Sequence, residues 1–367
     1  MTSFDREPAP RRGLLRSGDR VYLLPRDLAT GADAAAAIDA GAALPLAGGP
    51  IAFRAVDVIA RAEDGVRVAR ASLAALGDLG VPGLDARLER LSAPRPLLGS
   101  DEAPLLMGIV NVTPDSFFDG GRHAETDAAI AHGRRLAESG AAILDVGGES
   151  TRPGAAPVPV DEEIRRVEPV VRALAGDGRL VSIDTRNAAV MAAALDAGAA
   201  WVNDVSGLSH DPAAAALVAA RGCPVVLMHM RGEPRTMQVE PSYACTPLDV
   251  YDELAARVAA AEAAGIAPDR IVVDPGYGFA KSVAHNLEAT SWLALLHGLG
   301  RPVLFGGSRK SSIARLSRGE PGDARLPGSL ALALAAAARG AHILRVHDAA
   351  ETAQALAVQQ ALDAVDR

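Results

Sequence analysis

The residues of this chain that could do chemistry recur in one kind of place, at or just after the end of a short apolar run. Asn111 ends LLMGIVN, Asp184 ends LVSID, Asn203 and Asp204 end AWVND, and Asp274 ends RIVVD. Glu149, Thr151 and Arg152 follow AILDVG, and His229 lies near the end of PVVLMHM. Ser308, Arg309 and Lys310 follow PVLFGG, and Arg345 and His347 close HILRVH. Asp184, Asn203 and Asp274 can hydrogen-bond along a flat heterocycle with amide-like edges. A paired-carboxylate acid/base site would use the same acids, but the intervening asparagine suits ring recognition better. Arg152, Arg309, Lys310, Arg345 and His347 form a cationic group that suits a multiply charged anion such as pyrophosphate. GGSRKSS sets glycines and a serine before a helix, where backbone N–H groups bind anions. No His/Cys/Asp cluster has transition-metal spacing. Asn111 and Asp119 are hard oxygen ligands that suit Mg²⁺ beside a phosphate.

Those groups need a frame that brings eight run ends to one place. The runs are Leu105–Asn111, Ala142–Gly147, Leu180–Asp184, Ala200–Asp204, Pro224–Met230, Arg270–Asp274, Pro302–Gly307 and His342–His347. Each is followed by an Ala-rich helical stretch, so the pattern predicts eight βα units. Roughly 260 residues for eight units match the ~250 of a closed (β/α)8 barrel, whose active sites sit at the carboxyl ends of its strands. An open doubly wound sheet also alternates, but no dinucleotide-type glycine turn follows the first strand. The predicted fold is therefore α/β: a (β/α)8 TIM barrel over residues 103–367 with a small N-terminal α+β extension over residues 1–102. NVTPDSFFDGG after the first strand and ESTRPGAAPVPV after the second read as mobile loops.

In the extension, residues up to about Arg16 read as a flexible polar tail. RVYLL predicts a strand, DAAAAIDAG a helix, and IAFRAVDVIARAEDGVRVARAS two strands around a Glu-Asp-Gly turn. Ala93–Pro104 reads as a linker. No chemical constellation lies in this region, which should therefore be dispensable for chemistry and serve structure or association. The net charge of −8 argues against nonspecific binding to nucleic acid or anionic membrane. Two cysteines exclude a disulfide scaffold. The start lacks a signal-peptide apolar core, and Leu330–Ala338, the longest apolar stretch, is too short to span a bilayer, so a cytoplasmic location is expected. Of 37 basic residues only Lys281 and Lys310 are lysine. In a chain so biased toward arginine, they are candidates for positions where a guanidinium will not serve. Lys281 reads as a structural ion pair that orients its loop.

The segments GIVNVTPDSFFDGG, DVGGESTRPGA, SIDTR, VNDVSG, LMHMRG, DPGYGFAKSVAHN, GGSRKSS and GAHILRVHD, in that order from Leu105 to Asp348, resemble the dihydropteroate synthase family, the folate-pathway target of sulfonamides. The resemblance implies condensation of 6-hydroxymethyl-7,8-dihydropterin diphosphate with 4-aminobenzoate to 7,8-dihydropteroate and pyrophosphate, assisted by Mg²⁺. It implies that Asp184, Asn203, Asp274 and Lys310 hold the pterin with Met228 packed nearby. It implies that Asn111, Arg345, His347 and Arg152 hold the diphosphate, with Asn111 and Asp119 near the metal. Thr151, Pro153, Phe279, Arg309 and Ser311 would form the aminobenzoate site. Asp184, Arg152, Lys310 and Thr151 are the implied catalytic residues. The implied reaction is dissociative, with pyrophosphate leaving before the arylamine attacks. Tyr277 stands where the family commonly has Phe, and Ala280 where it commonly has Gly.

Three rivals use similar parts. A pterin-binding methyltransferase barrel needs neither the STRPG loop nor the Arg345/His347 anion site. A noncatalytic pterin binder would be expected to lose Asn111, Thr151, Arg152 and Pro153, all present here. A Schiff-base aldolase on Lys310 would need a lone buried lysine, not one beside a Gly-Ser-Arg anion loop. The expected partners are the two small-molecule substrates and a second copy of the chain in a homodimer, with no nucleic acid and no membrane.

Overall fold

A computed structural model describes residues 5–7, 14–95, 97, 104–112, 122–150, 157–233 and 236–365. The chain first builds a small sheet from β1 (Asp5–Glu7), β2 (Arg20–Ala29), β3 (Leu44–Pro45), β4 (Ala52–Ala62) and β5 (Gly65–Ser72), with helices α1 (Gly31–Asp39) and α2 (Leu84–Ser92). β2, β4 and β5 run antiparallel, with β4 in the middle. β1 pairs in parallel with β5, and Leu14 is buried, so the segment before Arg16 is not simply a flexible tail. Its pairing partner lies some sixty residues on, which local composition could not reveal.

RVYLL is apolar without alternation because both faces of this sheet are covered. Val21 and Leu23 pack into one core with Phe53, Val56, Val58 and α2 residue Leu91. Tyr22, Leu24, Ile59 and Val68 pack on the other side against Leu248, Trp292 and Leu295 of the barrel. A polar seam edges that contact. The Tyr22 hydroxyl donates to Asp252 Oδ1 at 2.9 Å, Arg20 Nη1 donates to Asp252 Oδ2 at 2.8 Å, and Arg61 Nη2 donates to Asp249 Oδ1 at 2.6 Å. Two side chains of the linker are also held. Arg95 donates to the His297 carbonyl at 2.8 Å and to the Arg301 carbonyl at 3.2 Å. Leu97 joins the apolar cluster inside the barrel.

The eight predicted strands are present. They are β6 (Leu105–Asn111), β7 (Ala141–Gly147), β8 (Val181–Asp184), β9 (Trp201–Asp204), β10 (Val225–Met228), β11 (Ile271–Asp274), β12 (Leu304–Phe305) and β13 (Ile343–Val346). Between and after them lie α3 (Arg122–Glu138), α4 (Val160–Gly176), α5 (Ala188–Asp196), α6 (Ala214–Arg221), α7 (Thr246–Ala263), α8 (Val283–Ser291), α9 (Ser311–Leu316), α10 (Leu326–Ala337) and α11 (Ala349–Val365). The strands are parallel in the order β11-β10-β9-β8-β7-β6-β13-β12. Val273 pairs in parallel with Val303 and closes the ring.

Strand side chains alternate between two environments. Met107, Ile143, Trp201, Val226, Val272, Leu304 and Ile343 pack together inside the barrel. Their neighbours Leu106, Leu144, Val202, Val225, Val273, Val303 and Leu344 pack outward with the helices. Two residues beyond the inner apolar layer, the same alternation brings Asp145, Asn203, Asp274 and Arg345 to the inside. Asp204 and His229 fall on the other phase.

Leu248→Ala should test the contact between sheet and barrel. Leu248 is fully buried, so the truncation should cost about 2–5 kcal/mol. Leu316→Ala, at an exposed site, should stay within about 0.5 kcal/mol. Urea unfolding of both variants decides; equal small losses would mean that the two parts do not share a core.

Candidate active site

A cavity of about 860 Å³ opens over the carboxyl ends of the strands, within the range of small-molecule sites. Asn111, Asp184, Phe279, Arg309, Lys310, Ser311, Arg345 and His347 line it. At its base Arg345 Nε donates to Asp145 Oδ2 at 2.6 Å, and Arg345 Nη2 donates to Asp184 Oδ2 at 2.6 Å. Asn203 Nδ2 donates to the same Asp145 oxygen at 2.9 Å. Asp145 is fully buried, and the sequence-based reading of the site misses it. A signal is available: it is the one polar residue of AILDVG, two positions past Ile143 and therefore on the inner face.

Asn203, Asp274 and Met228 do not line the cavity. They are buried around it, Asn203 against Asp145 and Met228 in a cluster with Phe279, Met230 and Met237. Asp274 Oδ1 accepts the Gly276 N–H at 2.7 Å. Asp204 faces away from the barrel interior and caps its own loop, accepting from Ser206 N at 2.7 Å and Leu208 N at 3.0 Å. Asp119, Thr151, Arg152 and Pro153 lie outside the described residues.

Electrostatics corrects the picture of one shared cationic group. His347 is half-buried on the cavity wall, and its desolvation together with the Arg345 charge lowers its pKa to about 3, so the ring is neutral. Its Nδ1 lies 3.0 Å from Ser308 Oγ. The Ser308 hydroxyl can give its proton to Nδ1, which leaves Nε2–H as the ring's donor. Arg309 lines the cavity, but its Nε donates to Asp348 Oδ2 at 3.0 Å. Burial pushes the Asp184 carboxyl above its ordinary range, and Arg345 only partly offsets this. Burial likewise raises Asp274 to about 6 against the Gly276 N–H bond and the Lys310 charge. Arg345 is itself desolvated, but Asp145 and Asp184 more than compensate and keep it charged.

Lys310 and Lys281 bracket the loop after β11. Lys310 Nζ lies 4.2 Å from the Phe279 ring centroid, a cation–π contact. Gly276, at φ 67°, must be glycine, because a Cβ there would lie 2.0 Å from the His229 carbonyl oxygen. Ala280 adopts φ 49°, a left-handed conformation that glycine takes up without strain. Tyr277 uses its extra hydroxyl in a 2.8 Å bond with Ser312. Lys281 is not the simple ion pair expected. Its Nζ reaches His229 Nδ1 at 2.9 Å and donates to the Gly276 and Phe279 carbonyls, each at 3.1 Å. An ammonium has three N–H donors, and here each has one acceptor. A guanidinium cannot reproduce that arrangement in a buried site, so Lys281→Arg should not be mild.

Ser311, the first residue of α9, is exposed on the cavity wall. That helix has only six residues, too short to lend much dipole to a carboxylate.

The neutral state of His347 is directly measurable. Its ring resonances should not titrate between about pH 5 and 8, the usual histidine window, and should move only near pH 3. A midpoint near the ordinary 6.5 would mean that the ring is solvated and cationic in mild acid.

Comparison with known proteins agrees with this geometry. The family model described as "Pterin binding enzyme" matches residues 107–347, from β6 to the end of the barrel's last strand and its His347. The dihydropteroate synthase of Escherichia coli (strain K12) is 46% identical over 259 residues, covering 70% of this chain and 91% of that protein. The solved Xanthomonas albilineans dihydropteroate synthase with 4-aminobenzoic acid superposes with a TM-score of 0.68 at 51% identity, over 72% of this chain and 94% of that one. The Yersinia pestis dihydropteroate synthase in a sulfonamide complex gives 0.67 at 44% identity, over 71% of this chain and 94% of that one. The chain is therefore a member of the dihydropteroate synthase family of pterin-binding enzymes.

Proposed function

We propose that the chain is a folate-biosynthesis transferase that condenses 6-hydroxymethyl-7,8-dihydropterin diphosphate with 4-aminobenzoate, releasing 7,8-dihydropteroate and pyrophosphate. The observation that carries this reading is the Asp145–Arg345–Asp184 bridge at the base of the cavity. It sets a carboxylate for a cationic ring beside a guanidinium for its leaving group. Relatives have been solved with 4-aminobenzoic acid and with 7,8-dihydropteroate, which supports the same aromatic substrate and the same product here.

The pterin would lie over Asp184 and Lys310 on the cavity wall and reach the buried Asn203 and Asp274 just behind it, with Met228 packed beneath. A guanidinium has five N–H donors, so Arg345 keeps capacity for the diphosphate while paired with two acids. Asn111, the Nε2–H of His347 and Arg152 complete that subsite. As the methylene C–O bond breaks, its electron pair leaves with pyrophosphate. The ring shares the resulting positive charge, and Asp184 stabilises it without a change of position. Thr151, Pro153, Phe279, Arg309 and Ser311 would hold 4-aminobenzoate so that its amine nitrogen forms the new C–N bond and then loses a proton. Proximity supplies much of the rate, because both reactants are held at once.

Asn111 and Asp119 are a sparse oxygen set, and no group of three or more His, Cys, Asp or Glu side chains among the described residues could hold a metal. Asn111 and Asp119 would hold a Mg²⁺ ion beside the diphosphate as hard oxygen ligands. When bound it would neutralise charge on the leaving diphosphate. No helix among the described residues is long and apolar enough to cross a membrane. The proposed location is the cytoplasm, whose reducing conditions keep thiols such as the buried Cys223 and Cys245 free. Val358, Leu362 and Val365 are exposed on α11, which supports a homodimer.

Pyrophosphate release measured with and without 4-aminobenzoate and Mg²⁺ tests the reaction. Dihydropteroate should form only with both substrates; binding without turnover would identify a binder, and methyl transfer to a corrinoid would identify the rival barrel. Asp184→Asn should lower kcat by ~10²–10³ with the fold intact, the scale of losing one preorganised charge. Lys310→Arg should lose most activity, because the wider, planar guanidinium with its fixed donor fork would clash with the pterin edge or misplace the hydrogen bonds an ammonium makes to it.

A further inference from the structure

A continuous chain of polar side chains joins the N-terminal domain to the loop after β11. Arg61, at the end of β4, donates to Asp249 Oδ1 at 2.6 Å. The other Asp249 oxygen accepts the Ala244 N–H at 2.9 Å and lies 3.5 Å from Arg231 Nη2. Arg231 Nε donates to Glu253 Oε1 at 2.8 Å. Glu253 Oε2 lies 3.0 Å from His229 Nε2, and His229 Nδ1 lies 2.9 Å from Lys281 Nζ. Lys281 then holds the carbonyls of Gly276 and Phe279. A second arm leaves the same Arg231, whose guanidinium carbon lies 4.0 Å from the Tyr243 ring centroid; the Tyr243 hydroxyl donates to the Ala280 carbonyl at 2.9 Å.

The chain has a fixed direction. A carboxylate only accepts, so His229 must present Nε2–H to Glu253. Burial and the Lys281 charge lower the His229 pKa to about 4, so the ring is neutral and Nδ1 is an acceptor. Lys281 must therefore donate to it, and in its ammonium form, which burial disfavours and the Asp274 carboxylate supports, its other two protons go to the loop carbonyls. No member can turn without leaving a partly or fully buried polar group unpaired. The held loop carries Phe279, on which Lys310 lies, and the Gly276 N–H that anchors Asp274.

We propose that Arg61 of the N-terminal domain is a positioning residue for the active-site loop Gly276–Lys281, acting through Asp249, Arg231, Glu253, His229 and Lys281. The N-terminal domain supplies no cavity-lining residue among those described. It acts by fixing the outer end of the chain that sets the aminobenzoate and pterin walls. This role rests on the reaction proposed above, but loop order can be read without turnover.

The test uses the full chain with Arg61→Ala, Arg61→Lys, Asp249→Asn and Tyr22→Phe. Tyr22→Phe removes a contact between the same domains through Asp252 and leaves the chain intact. Arg61→Ala and Asp249→Asn should raise KM for 4-aminobenzoate about 3- to 10-fold with little change in kcat, the size expected of a coupling residue. Arg61→Lys should recover part of that loss. Hydrogen exchange at the amides of residues 276–281 should speed up in Arg61→Ala and Asp249→Asn but not in Tyr22→Phe. Unchanged KM and unchanged loop exchange in a folded Arg61→Ala protein would overturn the role, as would equal effects from Tyr22→Phe. Should Arg61→Ala fail to fold, Asp249→Asn breaks the same contact from the barrel side, and its loop exchange then decides. If the wild-type chain makes no dihydropteroate, the exchange result still decides the positioning role, while the reaction itself fails.

Discussion

A guanidinium largely withdrawn from water at the floor of a barrel's cavity has to be matched by carboxylates, and that requirement organises this protein. Arg345 is held by Asp145 and Asp184 at 2.6 Å each, and Asp145 is in turn bonded by Asn203. Removing one partner of such a buried pair costs on the order of 3–5 kcal/mol, because the remaining charge is stranded. The pairing works only if β7, β8, β9 and β13 stand in one register. Gly147 pairs with Asp184 and Asp184 with Asn203, which sets Asp184 and Asn203 side by side on neighbouring strands. A slip of one residue would send all of these groups outward and bring their apolar neighbours in. The fold and the site are thus specified by the same alternation.

The same low-dielectric setting explains the unusual protonation of the site. Withdrawal from water raises Asp184 and Asp274 and lowers His347, while Arg345 pulls Asp184 and Lys310 pulls Asp274 back toward the carboxylate. Arg345 stays charged because its acids surround it. A dianionic or trianionic leaving group there would meet a preorganised donor set, the condition under which fixed charges contribute most. Arg309, by contrast, is drawn to Asp348, which places its charge at the rim of the anion site.

The N-terminal domain belongs to this electrostatic design although it lies outside the match to the family. Its sheet is apolar on both faces, and the outer face is completed by α7 and the turn after α8. Asp249 and Asp252, one helical turn apart on α7, receive Arg61, Arg20 and Tyr22. Asp249 also fixes the entry to α7 through the Ala244 N–H. Docking of the domain and order in the loop after β11 therefore share one residue.

Much of this was legible along the chain. Apolar runs ending in polar residues are local features, so the eight strands, the barrel and the convergence of Asn111, Asp184, Lys310, Arg345 and His347 on one cavity could be read from spacing. The long motifs carried the family because each joins a strand end to its loop. What the sequence could not decide was anything that depends on which way a side chain faces or on partners distant in the chain. Asn203 and Asp204 are adjacent and both polar, yet one joins the inner network and the other caps its own loop. His347 reads as a cation until burial is known. Lys281 has acceptors on the residue that follows β10 and on its own loop, and the line behind it runs through α7 to a residue of the N-terminal sheet. Strand ends are set by neighbours a few residues away, whereas charge state, facing and long-range pairing are set by the dielectric and the register of the assembled barrel, which exist only once the chain is folded.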